Sequence, residues 1–369
     1  MNKIESLDRH AAEKAAPIAI SGVRPLRADD NVLLRTAANL TRELNAANPR
    51  IYWTDMLASA VIGYAGLFTA TAASSTALAL AAGVIAVLAL YRAGSFIHEL
   101  THIKPSALRG FRLGWNLIVG VPLLLPSFLY EGVHNLHHAK TRYGTAEDPE
   151  YLPLALMKPW TLPIFLVASM LAPVALLFRF AVLTPLSLFS SKLRATVVAR
   201  YSGLQINPAF RRRPPEGDLK RAWRWQEGAA SVWSIVLLTL VFTGVVPLRA
   251  FAIFLAVASG VMLLNQVRTL VAHLWENDGE PMSVTAQYLD SVNVPPPGTL
   301  PALWAPVGLR YHALHHLLPG LPYHALGEAH RRLCAALDET SPYHRSSHRG
   351  LAPLVGRLVA SSWRGGSFP

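Results

Sequence analysis

Polar and apolar residues alternate in long blocks along this chain rather than residue by residue. From Met56 to Tyr91 there is no charged side chain. At about 1.5 Å per residue one helix of that length would overshoot a hydrocarbon core of about 30 Å, so two spans are expected, about 56–73 and 76–97. The small polar group Ala72–Thr76 (AASST) supplies the turn between them. Ala229–Pro247 and Ala250–Val267, divided only by Pro247, Leu248 and Arg249, predict a second pair, about 229–247 and 250–270. Two further apolar stretches, Leu113–Leu129 and Thr161–Phe178, are short for a span and are interrupted by prolines.

Composition agrees with a membrane class: of 369 residues 52% are hydrophobic and 15% charged, with a formal net charge of +12. The basic excess lies between the apolar blocks. Lys192, Arg194, Arg200, Arg211, Arg212, Arg213, Lys220, Arg221 and Arg224 face only Glu216 and Asp218, which marks the 192–224 loop as cytoplasmic. The far-side turns hold Arg249 alone. The basic residues are not interleaved with stacking aromatics in any nucleic-acid module, so no nucleic-acid partner is expected. Cys334 is the single cysteine and excludes an internal disulfide. The first fifty residues have no apolar run and are no secretory signal. The expected layout is a cytoplasmic N-terminal segment (1–53), a membrane domain (54–345) and a loose C-terminal tail (346–369), in an inner or cell membrane.

Nine of fourteen histidines fall in four places: His98 and His102 in HELTH, His134, His137 and His138 in HNLHH, His273 alone, and His312, His315 and His316 in HALHH. On a helix, positions i, i+3 and i+4 share a face, so each cluster offers imidazoles toward one point. Nine imidazoles exceed the four ligands of one tetrahedral zinc, and two metal ions account for them. The clusters meet only if they share one side of the membrane, so 113–129 and 161–178 are expected to be interfacial or re-entrant.

These boxes resemble the membrane fatty acid desaturase family, including its hydroxylase relatives, over Met56 to about Leu333. The surroundings EDPEY at 147–151 and PYHALGEAHRRL at 322–333 are similar too. The resemblance implies an all-α integral membrane fold, a four-transmembrane-helix stem under a cytosolic helical cap (98–228 and 271–345), and two iron ions held by the nine histidines. Asp148 is a candidate to orient a ligating imidazole, or a turn former before Pro149. The acyl-CoA branch of the family has an asparagine one turn before the lone histidine. Here Thr269 stands there and Asn265 lies a turn earlier. His324 and His330 are expected to pack rather than ligate.

HELTH also fits the H-E-x-x-H of a zinc metalloprotease, with Glu99 as general base. That reading leaves seven clustered histidines idle, and no aspartate interrupts the later spans; Asp290 lies beyond them. In the oxidase reading Glu99 either bonds an imidazole or faces solvent. A non-catalytic metal-binding membrane protein is a further alternative. The expected reaction is oxygen-dependent desaturation of a fatty acyl chain carried by CoA, carrier protein or lipid, with electrons from a separate ferredoxin or cytochrome. The alternative is di-iron hydroxylation of an acyl, carotenoid or alkane-type hydrocarbon. The basic loop serves topology or docking of an acidic donor, and Trp223, Trp225, Trp233, Trp275 and Trp304 form an interface belt or line an acyl tunnel.

Overall fold

The computed structural model describes residues 29–365, which fold as helices joined by turns and short irregular segments. Residues 1–28 of the expected N-terminal segment lie outside this range. Five helices are long and apolar enough to cross a membrane: α1 (Pro49–Ala72), α2 (Thr76–His102), α3 (Thr161–Phe178, continuing to Leu186), α4 (Gly217–Phe242) and α5 (Leu248–Leu270). Their outer faces present Val61, Phe68, Leu80, Leu171 and Val232 to the surroundings, as suits lipid.

The first expected pair forms as α1 and α2. Asn48 caps α1, accepting from the Arg50 N–H, with Pro49 at the first helical position; Ser75 caps α2. Small residues set their approach, since lipid supplies no hydrophobic force between helices and packing must do so. A Cβ on Gly66 would stand 2.9 Å from the Ala82 carbonyl, and one on Gly63 would stand 2.6 Å from Leu90. On α5, Gly260 meets Val87 of α2 in the same way.

Two elements differ from expectation. Thr161–Phe178, read as interfacial or re-entrant, is a continuous helix that meets the length and apolarity of a span, so the candidate stem helices number five rather than four among the described residues. Pro173 is buried within it without ending it, and Arg179 fixes its far part by a 2.6 Å ion pair with Glu227 of α4. By contrast, 113–129 breaks into Phe111–Trp115, a π turn at Asn116–Gly120 and a 3-10 turn at Ser127–Leu129. Asn116 ties this bend together: its Oδ1 accepts from Ser127 N at 2.8 Å. The expected C-terminal tail carries a helix, Leu351–Gly365, with Leu354 and Leu358 buried and Arg357 paired to Glu276.

The basic loop is partly internal. Arg212 is buried, donates to the Phe128 and Glu131 carbonyls and stacks on Trp223, while Arg194 pairs with Glu227. Trp223 and Trp275 are wholly buried and belong to no interface belt; Trp225 is exposed.

Candidate metal centre

All nine clustered histidines converge, in two sets. Ring nitrogens of His98, His102, His134, His138 and His315 lie within 4.8 Å of one another, as do those of His137, His273, His312 and His316. Each H-x-x-H-H therefore serves two points, not one. Positions i and i+4 stay together (98 with 102, 134 with 138, 312 with 316), whereas the i+3 positions, His137 and His315, cross to the other set. Successive residues on a helix are about 100° apart, so i+4 lies about 40° to one side of i and i+3 about 60° to the other. A short helix wedged between two sites thus feeds both.

The sets fit metal ions by their own geometry. Nε2 atoms face each other at 3.0 Å (His134 with His138, His312 with His273) and 3.2 Å (His138 with His315, His312 with His316). For metal–nitrogen bonds of about 2.1 Å, the edge between neighbouring ligands is about 3.0–3.4 Å, and these spacings match such edges. Both nitrogens of His98, Nε2 of His102 and Nδ1 of His316 are buried with no hydrogen-bond partner among the described residues. Burial, then neighbouring rings, holds His134, His138, His315 and His316 well below the ordinary histidine range, and they stay neutral, which is the ligating form. Burial also lowers His137, but the Asp148 carboxylate outweighs it and keeps that ring above its ordinary value.

Outer partners fix which nitrogen carries the proton. Asp148 is fully buried and accepts from His137 Nδ1 at 2.9 Å, as well as from the backbone N–H of Gly144 and Glu150. Tyr143 donates to Asp290 at 2.7 Å, so its oxygen accepts from His273 Nδ1 at 2.8 Å; Ser291 Oγ, which donates to the Gln287 carbonyl, is a second acceptor at 3.1 Å. Both rings consequently turn Nε2 inward. His134 Nδ1 lies 3.1 Å from Glu150, whose pKa burial pushes up to about 7, and 2.8 Å from the Tyr130 hydroxyl. His312 is the exception. Its Nδ1 faces Arg268 at 3.0 Å, and an arginine only donates.

The segment after α5 organises this side. Leu274 N donates to the Asp290 carbonyl and Val292 N to the Ala272 carbonyl, which aligns His273 with Ser291; Ala313 N then donates to the Val292 carbonyl and brings up the His312–Leu317 helix. Trp275, packed against His273 at 4.9 Å between ring centres, takes a left-handed φ of 61°, uncommon for a bulky residue and held here by full burial and its bond to the Leu270 carbonyl.

Glu99 does not face solvent. It is buried, accepts from the Tyr52 hydroxyl and from Tyr323 N at 3.1 Å, and lies 3.6 Å from His98 Nδ1. Thr269 spends its hydroxyl on the Asn265 carbonyl, and no histidine is its partner there. His324 accepts from Asn48 N and His330 meets the Tyr343 hydroxyl, both outside the sets. Sequence reasoning missed Tyr130, Tyr143, Ser291 and Arg268 as supports, and met Glu150 only within EDPEY and Asp290 only as a protease candidate. None repeats a spacing, so no local signal marks them.

A cavity of about 460 Å³ opens beside both sets, reaching His98 and His134 of one and His137, His273 and His312 of the other. Phe165, Ala168, Ala172 and Leu176 of α3 give it an apolar wall. An extended apolar chain with one polar group suits such a space.

Residues 73–348 match the fatty acid desaturase family. Among curated proteins, the chain is 50% identical over 331 residues to the ceramide hydroxylase of Caulobacter vibrioides (strain NA1000 / CB15N), covering 90% of this chain and 94% of that relative.

Proposed function

The chain belongs to the fatty acid desaturase family, and from that footing we propose that it is an oxygen-dependent membrane hydroxylase acting on a ceramide-type lipid. The observation that carries this reading is the 50% identity to a ceramide hydroxylase over 90% of the chain. It favours hydroxylation over the desaturation expected from the boxes, because the same histidine pattern serves both outcomes. The zinc protease reading has no support in the site, where Glu99 is held by Tyr52 and Tyr323.

In this proposal the nine histidines hold two iron ions, which when bound supply the reductive activation of dioxygen that an unactivated carbon–hydrogen bond demands. One C–H bond, one dioxygen, two electrons and two protons give one C–OH bond and one water. The protein's part is to fix the rings through Asp148, Tyr143 and Asp290, to keep His134, His138, His315 and His316 neutral by burial, and to lay the lipid chain along α3 so that one methylene faces the rings. The site lies on the cytoplasmic side in this reading, and electrons arrive from a separate ferredoxin or cytochrome. Docking such a donor falls to basic residues other than Arg194 and Arg212, which are engaged internally.

The test is turnover of ceramide by the iron-loaded protein with a donor under ¹⁸O₂. One heavy oxygen atom in a product that has lost a single hydrogen supports hydroxylation. A product that loses two hydrogens and gains no oxygen restores the desaturase reading.

A further inference from the structure

Two neighbouring residues near the end of α5 that carry side-chain amides, Asn265 and Gln266, line the cavity. Gln266 is only 6% exposed, and its Nε2 has no hydrogen-bond partner among the described residues. Leaving an amide buried and unpaired is unfavourable, the more so in a helix long and apolar enough to cross a membrane, and such groups mark a ligand path. Elsewhere in the wall, Gln205 donates its Nε2 to the Phe210 carbonyl at 3.2 Å, and its Oε1 is buried and unpartnered among the described residues as well. The wall therefore holds a spare donor and a spare acceptor, in a cavity that touches rings of both metal sets.

A secondary amide has the matching inventory: one carbonyl to accept and one N–H to donate. We infer that Gln266, assisted by Gln205, reads the amide linkage of an N-acyl lipid and so selects amide-linked substrates over ester- and thioester-linked ones. Gln266 Nε2 donates to the substrate carbonyl, and Gln205 Oε1 accepts the substrate N–H. An ester or thioester keeps the carbonyl but offers no N–H, and leaves the acceptor buried without a partner; sites built on such pairs reject the deficient analogue. The inference rests on the proposed lipid hydroxylation and adds to it the residue that recognises the linkage. A cavity water would also satisfy Gln266, but predicts no preference between linkages.

The experiment compares a short-chain ceramide with its analogue in which oxygen replaces the amide N–H. Two readouts are used: hydroxylation by the iron-loaded protein, and the shift of unfolding temperature of metal-stripped protein. The parent is expected to prefer the amide by at least about tenfold in kcat/KM, and the isosteric Gln266→Met to bring that ratio to about one. The parent's own preference needs no variant to fold. If the parent hydroxylates both lipids equally, this inference is overturned while the proposed reaction stands. If neither lipid is hydroxylated, yet ceramide alone raises the unfolding temperature and Gln266→Met abolishes the shift, the recognition holds and the reaction is wrong. If the two lipids shift the parent equally, or neither does, the inference fails.

Discussion

The two histidine sets are built differently. His137, His273, His312 and His316 are all buried, and three of them have a named outer partner: Asp148, the Tyr143–Asp290–Ser291 group and Arg268. The other set includes the half-buried His102 and His138, and among the described residues only His134 has close outer partners, Glu150 and Tyr130; Glu99 stands 3.6 Å off from His98. One set is held by a dense polar shell; in the other, α2 carries His98 and His102, and the two short helices that also feed the first set carry His134, His138 and His315. The first set is thus preorganised, and the second leaves its rings freer to adjust.

The most severe break of this comparison is removal of a ligand from each side. We expect about two metal ions per chain in the parent, falling toward one in His315→Ala and in His137→Ala, with hydroxylation lost in both. Metal analysis checks this, and a parent value near one that neither variant changes would sink the two-set description. Asp148→Asn comes next. It removes the carboxylate that holds His137, and metal affinity at the denser set should drop by about 10–100-fold, measured by chelator competition. Tyr143→Phe should cost about tenfold, the lower end of that range, because Ser291 remains to accept from His273 Nδ1. An effect equal to that of His137→Ala would show that Ser291 contributes nothing.

The smallest effect is expected from Glu99→Gln. The amide oxygen can still accept from the Tyr52 hydroxyl or from Tyr323 N, and neither of those groups belongs to a metal set. Metal content and most activity should therefore persist, with a loss of about 1 kcal/mol in unfolding stability. Complete loss of activity with metal intact, together with proteolysis by the parent, would instead revive the protease reading.

Much of this site is legible in the chain. The spacing of HELTH, HNLHH and HALHH, with the lone His273, identifies all nine converging histidines, because i and i+4 residues share a helix face wherever that helix sits. Asp148 is legible by its closeness to the second box. Tyr143, Asp290, Ser291 and Arg268 are not, because each reaches its histidine across a turn or a loop: Tyr143 meets a ring 130 residues away. The fate of Thr161–Phe178 is hidden for a similar reason. Its prolines argue for interruption, but Pro173 sits buried against neighbours that accommodate it, and the helix runs on.

By itself the sequence determined the apolar blocks, the α1–α2 and α4–α5 pairs with their turns, and the grouping of imidazoles four residues apart, since all of these follow from local periodicity and capping. Only the tertiary structure decided that His137 and His315 cross between sets, which nitrogen of each ring faces inward, and that an unpaired glutamine lines the cavity beside them. Those depend on where two short helices are wedged and on partners brought in by the 290–294 segment, and contacts between distant parts of the chain leave no periodic trace in it.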